Sequence, residues 1–466
     1  MSARHLWVWG LVLLAVGCGP VEQEELEAAP DEAPVADEVL APAPAEEREA
    51  EPGQVTAFAS GDTQWVRSAT GETSSARIVR TDRNGNSYTV LTYGANTRFS
   101  GVLLPGARGY AVFSHTPSGT LRWSRAFSCA QASDTPGVFD LWVTPGGRSV
   151  MVLDGPCSAD FGAGPVSGRA LLLVLGNGGQ LRWTRVLVPS DSEGSLEDAS
   201  VTVSPTTQRV LVAAALTGSV LLEQQLFDVG ASRVSAFLRY TDRGALLGGN
   251  VLPSPQGNTQ VRDVAYDGTG RLNALFTFSG TVDFGDGARV ADGSAALLVA
   301  RYRLDRTLLW ARQYAGDFVG ELRFRGEVFR STTDESLQRA SQGFVLGLTR
   351  LSGAERWLQL RGRHVDDVDM NVGDGVVVVG QFLGVGPTDP DGTIVAKFVA
   401  KHDRVSGRTL WRRVLDYSGT LASTAITPSG RVLACGDFIG TADFGTGPLP
   451  GSPATAPQAF LFRMDP

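Results

Sequence analysis

Few residues in this chain are placed to do chemistry. Three acids crowd together as Asp366, Asp367 and Asp369, just before the apolar run Val376 to Val379. Neighbouring carboxylates can exchange protons with a substrate or grip a cation. Here they enter a strand near one face of the fold, and they read as a solvated acidic loop. Three Asp-Phe-Gly triplets stand at Asp160-Phe161, Asp283-Phe284 and Asp443-Phe444, with Asp286 following the second. Such loops could offer oxygens to calcium, which takes roughly six to eight of them. One acid per loop is too few, so each triplet reads as an Asx-type turn whose Phe plugs a space between neighbouring sheets. Apart from His5 the histidines are His115, His364 and His402. His115 and His402 fall at the ends of equivalent strands in different repeats and read as satisfied or solvated. Metalloprotease, nucleophile-elbow, phosphate-loop and paired-cysteine motifs are absent. The expectation is a protein with no catalytic residue, no metal and no cofactor.

The cysteines carry a more specific signal. Cys129 precedes the first strand of its repeat and Cys157 follows the second. The two ends of an antiparallel hairpin lie side by side, so a Cys129–Cys157 disulfide is expected in an oxidising compartment. Cys435 sits in an alternating strand and reads as a small buried residue.

What positions these residues is a repeat. A Gly-containing turn followed by a Trp strand recurs around Trp65, Trp123, Trp183, Trp310, Trp357 and Trp411, with a worn copy at Gly244 to Leu247 in which Leu247 takes the Trp place. Trp-to-Trp spacings are 58 and 60 residues early, 47 and 54 later. Each unit reads as four short strands with Gly, Pro, Asn and Asp turns. The last unit shows the order: Leu421 to Ile426, Arg431 to Phe438, the Asp-Phe-Gly loop, then Ala459 to Met464. The stretch 318–345 is irregular, and Glu321 to Arg330 and Gly343 to Leu348 must supply its strands. Four-stranded units in this number predict an all-β, seven-bladed β-propeller over 60–466. The units are longer than the roughly 40–45 residues of WD40 repeats. The final unit lacks a Trp strand and the Trp65 strand lacks the strands before it, so the two ends are expected to share one blade and leave no open sheet edge. Aromatic residues at equivalent positions predict packing between blades rather than ligand stacking.

The ends of the chain speak about address. Arg4 followed by the apolar stretch Leu6 to Val16 forms an export signal, too short to span a bilayer. Its end, Leu14-Ala15-Val16-Gly17-Cys18, resembles the lipobox of bacterial lipoproteins. That resemblance implies a signal peptide over 1–18, lipidation at Cys18 with palmitate among the acyl chains, and durable anchoring by more than one chain. Residues 19–53 are rich in Ala, Pro and Glu. Residues 21–53 hold twelve acids against one base, whereas 54–466 carry 37 acids and 39 bases. The acidic segment is expected to be a disordered tether. The near-neutral remainder argues against a nucleic-acid partner.

The phrase Phe398-Val-Ala-Lys-His-Asp-Arg-Val-Ser-Gly-Arg-Thr-Leu-Trp411, with Gly436-Asp-Phe-Ile-Gly-Thr-Ala-Asp-Phe-Gly445 after it, resembles the SBBP-type propeller repeats of exported bacterial proteins, common in myxobacteria and their relatives. The turn-and-Trp element also resembles the PQQ-like repeats of BamB-type lipoproteins, without their regular spacing. These resemblances imply a monomeric binding or scaffold module on the cell envelope, anchored by lipid to the outer membrane and serving a protein or glycan partner. A factor assisting outer-membrane protein assembly is the alternative. A carbohydrate-active enzyme on the propeller face is a further one.

Overall fold

The computed structural model describes residues 61–129, 136–222, 225–252, 254, 256–303, 305–315, 323–325, 328–331, 343–361, 364–371, 375–388, 394–449 and 456–466. Cys18 and the stretches 1–18 and 19–53 lie outside the described residues. The described residues form strands and turns with no helix, so none is long and apolar enough to cross a membrane.

Six sheets are each built from one continuous stretch of chain. From the inside outwards the first blade runs Ser74–Thr81, Ser87–Gly94, Arg108–His115, Leu121–Ser128. The second runs Gly137–Val143, Ser149–Asp160, Pro165–Leu175, Leu181–Val188. The third runs Ser195–Val203, Val210–Leu222, Gln225–Tyr240, Leu246–Val251. The fourth runs Gln256–Tyr266, Leu272–Asp283, Ala296–Tyr302, Leu308–Ala315, with Ala288–Val290 paired beside its second strand. The fifth runs Arg323–Arg325, Val328–Ser331, Gly343–Leu348, Glu355–Arg361, which supplies the strands of the irregular stretch. The sixth runs His364–Asn371, Gly375–Thr388, Ile394–His402, Thr409–Leu415.

The expected seven-bladed count is corrected here: the all-β class holds, but the propeller has six blades of continuous chain. The remaining sheet is composite: Ser418–Ile426, Val432–Ile439 and Gln458–Met464 pair with Thr63–Thr70 from the other end of the chain. It is also six strands wide, because Thr63–Thr70 pairs onward with the hairpin Arg98–Phe99 and Val102–Leu103. Phe99 is fully buried against Phe113, with ring centroids 4.8 Å apart, and this holds the hairpin down.

The innermost strands pack side by side in a closed ring, the composite sheet touching both the first and the sixth blade. The second strand of a blade is apolar on both faces, as in Val376 to Val379 and Val150 to Leu153, because a neighbouring sheet covers each side. The core is therefore a set of seams. Val150, Val152, Leu172 and Val174 of the second blade meet Val201, Val212 and Ala214 of the third, and Val345 of the fifth meets Val376 and Val378 of the sixth.

The disulfide Cys129–Cys157 is present, with Cα atoms 5.1 Å apart. Its geometry is not the hairpin closure expected. Cys129 follows the outer strand of the first blade, and Cys157 lies within the second strand of the second. The bond therefore staples two neighbouring sheets. Closing the 28-residue separation is worth on the order of 3–4 kcal/mol by chain entropy.

Candidate functional site

Among the described residues, a set of buried polar side chains converges on the innermost strands, around the ring axis. Five inner strands end in tight turns that open at Asp82, Thr144, Ser204, Asp267 and Thr427. Four residues before these turns stand Ile78, Asp140, Ser200, Asp263 and Ser423, and Asp367 occupies the matching place in the sixth blade, one residue past its β-bulge. A bulge just before this position in several inner strands tilts the side chain toward the axis. Asp140 Oδ2 accepts from Ser200 Oγ at 3.0 Å and from the Val201 amide at 3.0 Å, in the next blade. The same Ser200 hydroxyl lies 2.7 Å from Asp263 Oδ1, so its one hydrogen is shared between the two carboxylates. Asp367 Oδ2 accepts from Ser423 Oγ at 2.6 Å and from the Thr424 amide at 3.0 Å. Asp369 accepts from the Ile426 amide at 2.9 Å.

Arg80 joins the two halves of this girdle. Its Nη1 lies 3.1 Å from Asp367 and 2.9 Å from Ser423, and its Nη2 lies 4.0 Å from Asp140. The network thus links the sixth blade, the composite sheet and the first four blades. Asp140, Asp263 and Asp367 are at most 2% exposed and Arg80 is 6% exposed. Buried ion pairs of this kind add little net stability, yet losing one partner is expensive. Trp142 comes off the second blade and packs against both the second-to-third and the fourth-to-fifth seams.

The reading of Asp366, Asp367 and Asp369 as a solvated loop is therefore corrected. Asp367 is buried, and Asp367 and Asp369 tie the sixth blade to the composite sheet. The carboxylates are spent on neighbouring blades rather than presented to a ligand. Sequence reading missed Arg80, Asp140, Ser200, Asp263 and Ser423. A polar residue four places before a turn, followed by Leu, Val or Thr, was the available signal.

The other candidates are structural in their geometry. Asp160, Asp283 and Asp443 each take two amide hydrogens of their own loop, for example Gly162 at 2.7 Å and Gly164 at 3.1 Å. Asp286 pairs with Arg289. Phe161, Phe284 and Phe444 are buried between sheets. Among the described residues no three His, Cys, Asp or Glu side chains gather as a metal site. His115 is fully buried with Nε2 2.8 Å from Ser100 Oγ. Burial, and then the charge of Arg67, hold its pKa down at about 4. His402 is 1% exposed, with Nδ1 3.3 Å from Thr409 Oγ1. His364 opens the inner strand of the sixth blade. Cys435 is fully buried, and that burial, with the Asp367 carboxylate nearby, pushes its thiol well above the ordinary range.

The Trp residues form junctions between blades. Trp65, Trp123, Trp183, Trp310 and Trp357 donate their indole N–H to a turn carbonyl of the next sheet: Pro117, Asn177, Asp242, Arg350 and Arg404, at 2.6–3.2 Å. The turn Gly lies flat on the indole. A β-carbon built on Gly179 would stand 2.6 Å from Trp123, and one on Gly244 2.6 Å from Trp183. Two residues after the Trp, Arg67, Arg125, Arg312 and Arg413 donate to the carbonyl of the same Gly. Trp411 faces Gly61.

One junction is inverted. Leu247 does not take the Trp place, as the sequence reading supposed. The bulge that puts Trp310 opposite Arg301 puts Gly248 opposite Arg239. In the facing turn, where a Gly is expected, Arg306 adopts φ +73° and donates to Asn250 at 3.3 Å.

Fold and axial network together define an all-β propeller. No family model matches the chain, and no curated protein matches it. Among solved structures the Dos1 propeller is similar over 86% of this chain and 95% of that one, at 10% identity and a TM-score of 0.41. BamB from Moraxella catarrhalis is similar over 77% of this chain and 92% of that one, at 13% identity and a TM-score of 0.34. The K499G mutant of the NanB sialidase from Streptococcus pneumoniae is similar over 81% and 90%, at 9% identity and a TM-score of 0.41.

Proposed function

We propose that this chain is a non-enzymatic propeller serving as an extracytoplasmic binding or scaffold module, lipid-anchored through Cys18 to the outer membrane. One observation carries the reading. The concentrated carboxylates of the molecule, Asp140, Asp263 and Asp367, are buried and committed to hydrogen bonds between blades. A glycosidase needs two carboxyl groups open to a sugar, and here the guanidinium of Arg80 lies between Asp140 and Asp367. Partner binding then falls to the turns and loops that the rigid ring holds out. The export signal and the Cys after it support the address, and the acidic stretch 19–53 supports a spacer between membrane and ring.

Crosslinking in intact cells, with the neighbours identified by mass spectrometry, tests the role. A recurrent envelope protein or glycan partner is expected, and the absence of any reproducible neighbour would remove the reading. Incorporation of labelled palmitate tests the anchor. It should be lost in Cys18→Ser, and retention of label in that variant would refute it.

A further inference from the structure

We infer that the turn face between the third and fourth blades binds a tetrahedral oxyanion, phosphate in the first instance, through Arg209, Arg239 and Arg306. The inference deepens the binding reading above and rests on it.

Arg301 and Arg239 occupy the same place, opposite the outer-strand position that holds Trp310 in one blade and Gly248 in the other. Arg301 pairs with Asp267, the first residue of the inner turn of its own blade. In the third blade that turn residue is Ser204. Arg239 thus lacks the acid its counterpart uses, and its Nε is buried with no hydrogen-bond partner.

Two more cations belong to the same face: Arg306 reaches Asn250, two residues along the strand from Gly248, and Arg209 stands two residues before Leu211, the register partner of Arg239. Burial first, then the like charges of Arg306 and Arg209, hold the Arg239 guanidinium below its ordinary range. The same three cations act on Tyr266, whose phenol burial nevertheless raises. Arg209 is exposed, and its side chain makes no hydrogen bond among the described residues. Arg306 reaches only the neutral Asn250. Asp305, next to Arg306, turns its carboxylate back onto the Thr307 amide. A β-carbon built on Gly248 would meet nothing within 4 Å, so the missing Trp leaves open space beside the cluster. Guanidinium groups that repel one another, one half-buried and two exposed, with no carboxylate paired to them among the described residues, call for an anion. Forked N–H donors match the oxygens of a phosphate group.

The source of that group is either a free phosphate or the headgroup of an anionic lipid, and the test separates them. The full chain carrying Cys18→Ser, so that no acyl chain contributes, is titrated with inorganic phosphate at low ionic strength. Binding and a raised Tm are expected. R239Q and the exposed variant R209Q should each weaken binding by roughly tenfold or more. R83Q, which removes an exposed charge on another turn, should bind like the parent. Vesicles of phosphatidylglycerol form the second arm. Capture that R239Q and R209Q abolish assigns a lipid headgroup, and phosphate binding without capture assigns a soluble ligand. No phosphate binding, or equal weakening in R83Q, R209Q and R239Q, overturns the site. That failure would leave the scaffold reading standing, because its test is the set of crosslinked neighbours.

Discussion

The junction between the second and third blades and the one between the third and fourth solve the same problem in opposite ways. In the first, Trp183 carries the bulk and Gly244 yields to it. In the second, Gly248 carries no bulk, and Arg306 supplies a side chain where the turn would otherwise have Gly. A blade junction therefore depends on the sum of two facing positions, not on either residue alone. The difference also teaches where the ring can be modified. A junction wedged by indole is dry and packed, whereas one closed by a flexible cation is open and polar.

Four substitutions or conditions would break or sharpen this contrast. Trp183→Ala should cost the most, about 3–5 kcal/mol, because it leaves an aromatic-sized cavity in a seam. Chemical denaturation would measure it, and a cost under about 1 kcal/mol would show that the wedge is dispensable.

Acid should act next, on the junction where the chain ends meet. His115 lies 6.1 Å from Trp65 in that junction, whereas the residue in the matching place at the inverted one is Tyr302. The folded pKa of His115 is held at about 4, below its unfolded value of about 6.5. The unfolded chain therefore takes up the proton first. Its contribution is full above about pH 6.5 and declines as pH falls toward about 4, by about 3 kcal/mol at most. His115→Phe should flatten this part of the stability–pH curve. An unchanged slope would remove the assignment.

Gly179→Ala should cost about 1–3 kcal/mol. The turn has φ +79° and the new methyl would press on Trp123. Arg306→Gly should have the smallest effect, within about 1 kcal/mol, since it trades relief of a positive φ against added freedom in the unfolded chain. If thermal melts showed Gly179→Ala and Arg306→Gly equally damaging, the two junctions would not differ in the way argued here.

The repeat was legible in the residues because local chemistry writes it. A positive-φ Gly and a Trp four places later recur along the chain, and the pair is local. The same count also held the correction, since four places after Gly244 stands Gly248, not Leu247. Reading the apolar residue as the wedge followed hydrophobicity where spacing was the better guide. The candidate site was far less legible. Arg80 and Asp367 are 287 positions apart, and nothing near either announces the other. The acids at 366–369 looked exposed because charge usually means solvent, yet Asp367 is turned to the axis and bonded to the next sheet.

The amino-acid order alone determined the all-β class, the turn positions, the phase of the Trp junctions and the meeting of Trp65's strand with the last one. Each follows from backbone preference and period over a few residues. Tertiary closure decided the rest: which carboxylates are buried, that the disulfide joins two sheets rather than one hairpin, that a small hairpin widens the closing sheet, and that three arginines gather without an acid. These depend on bulges and on side chains from distant strands meeting around one axis, which short-range pattern does not encode.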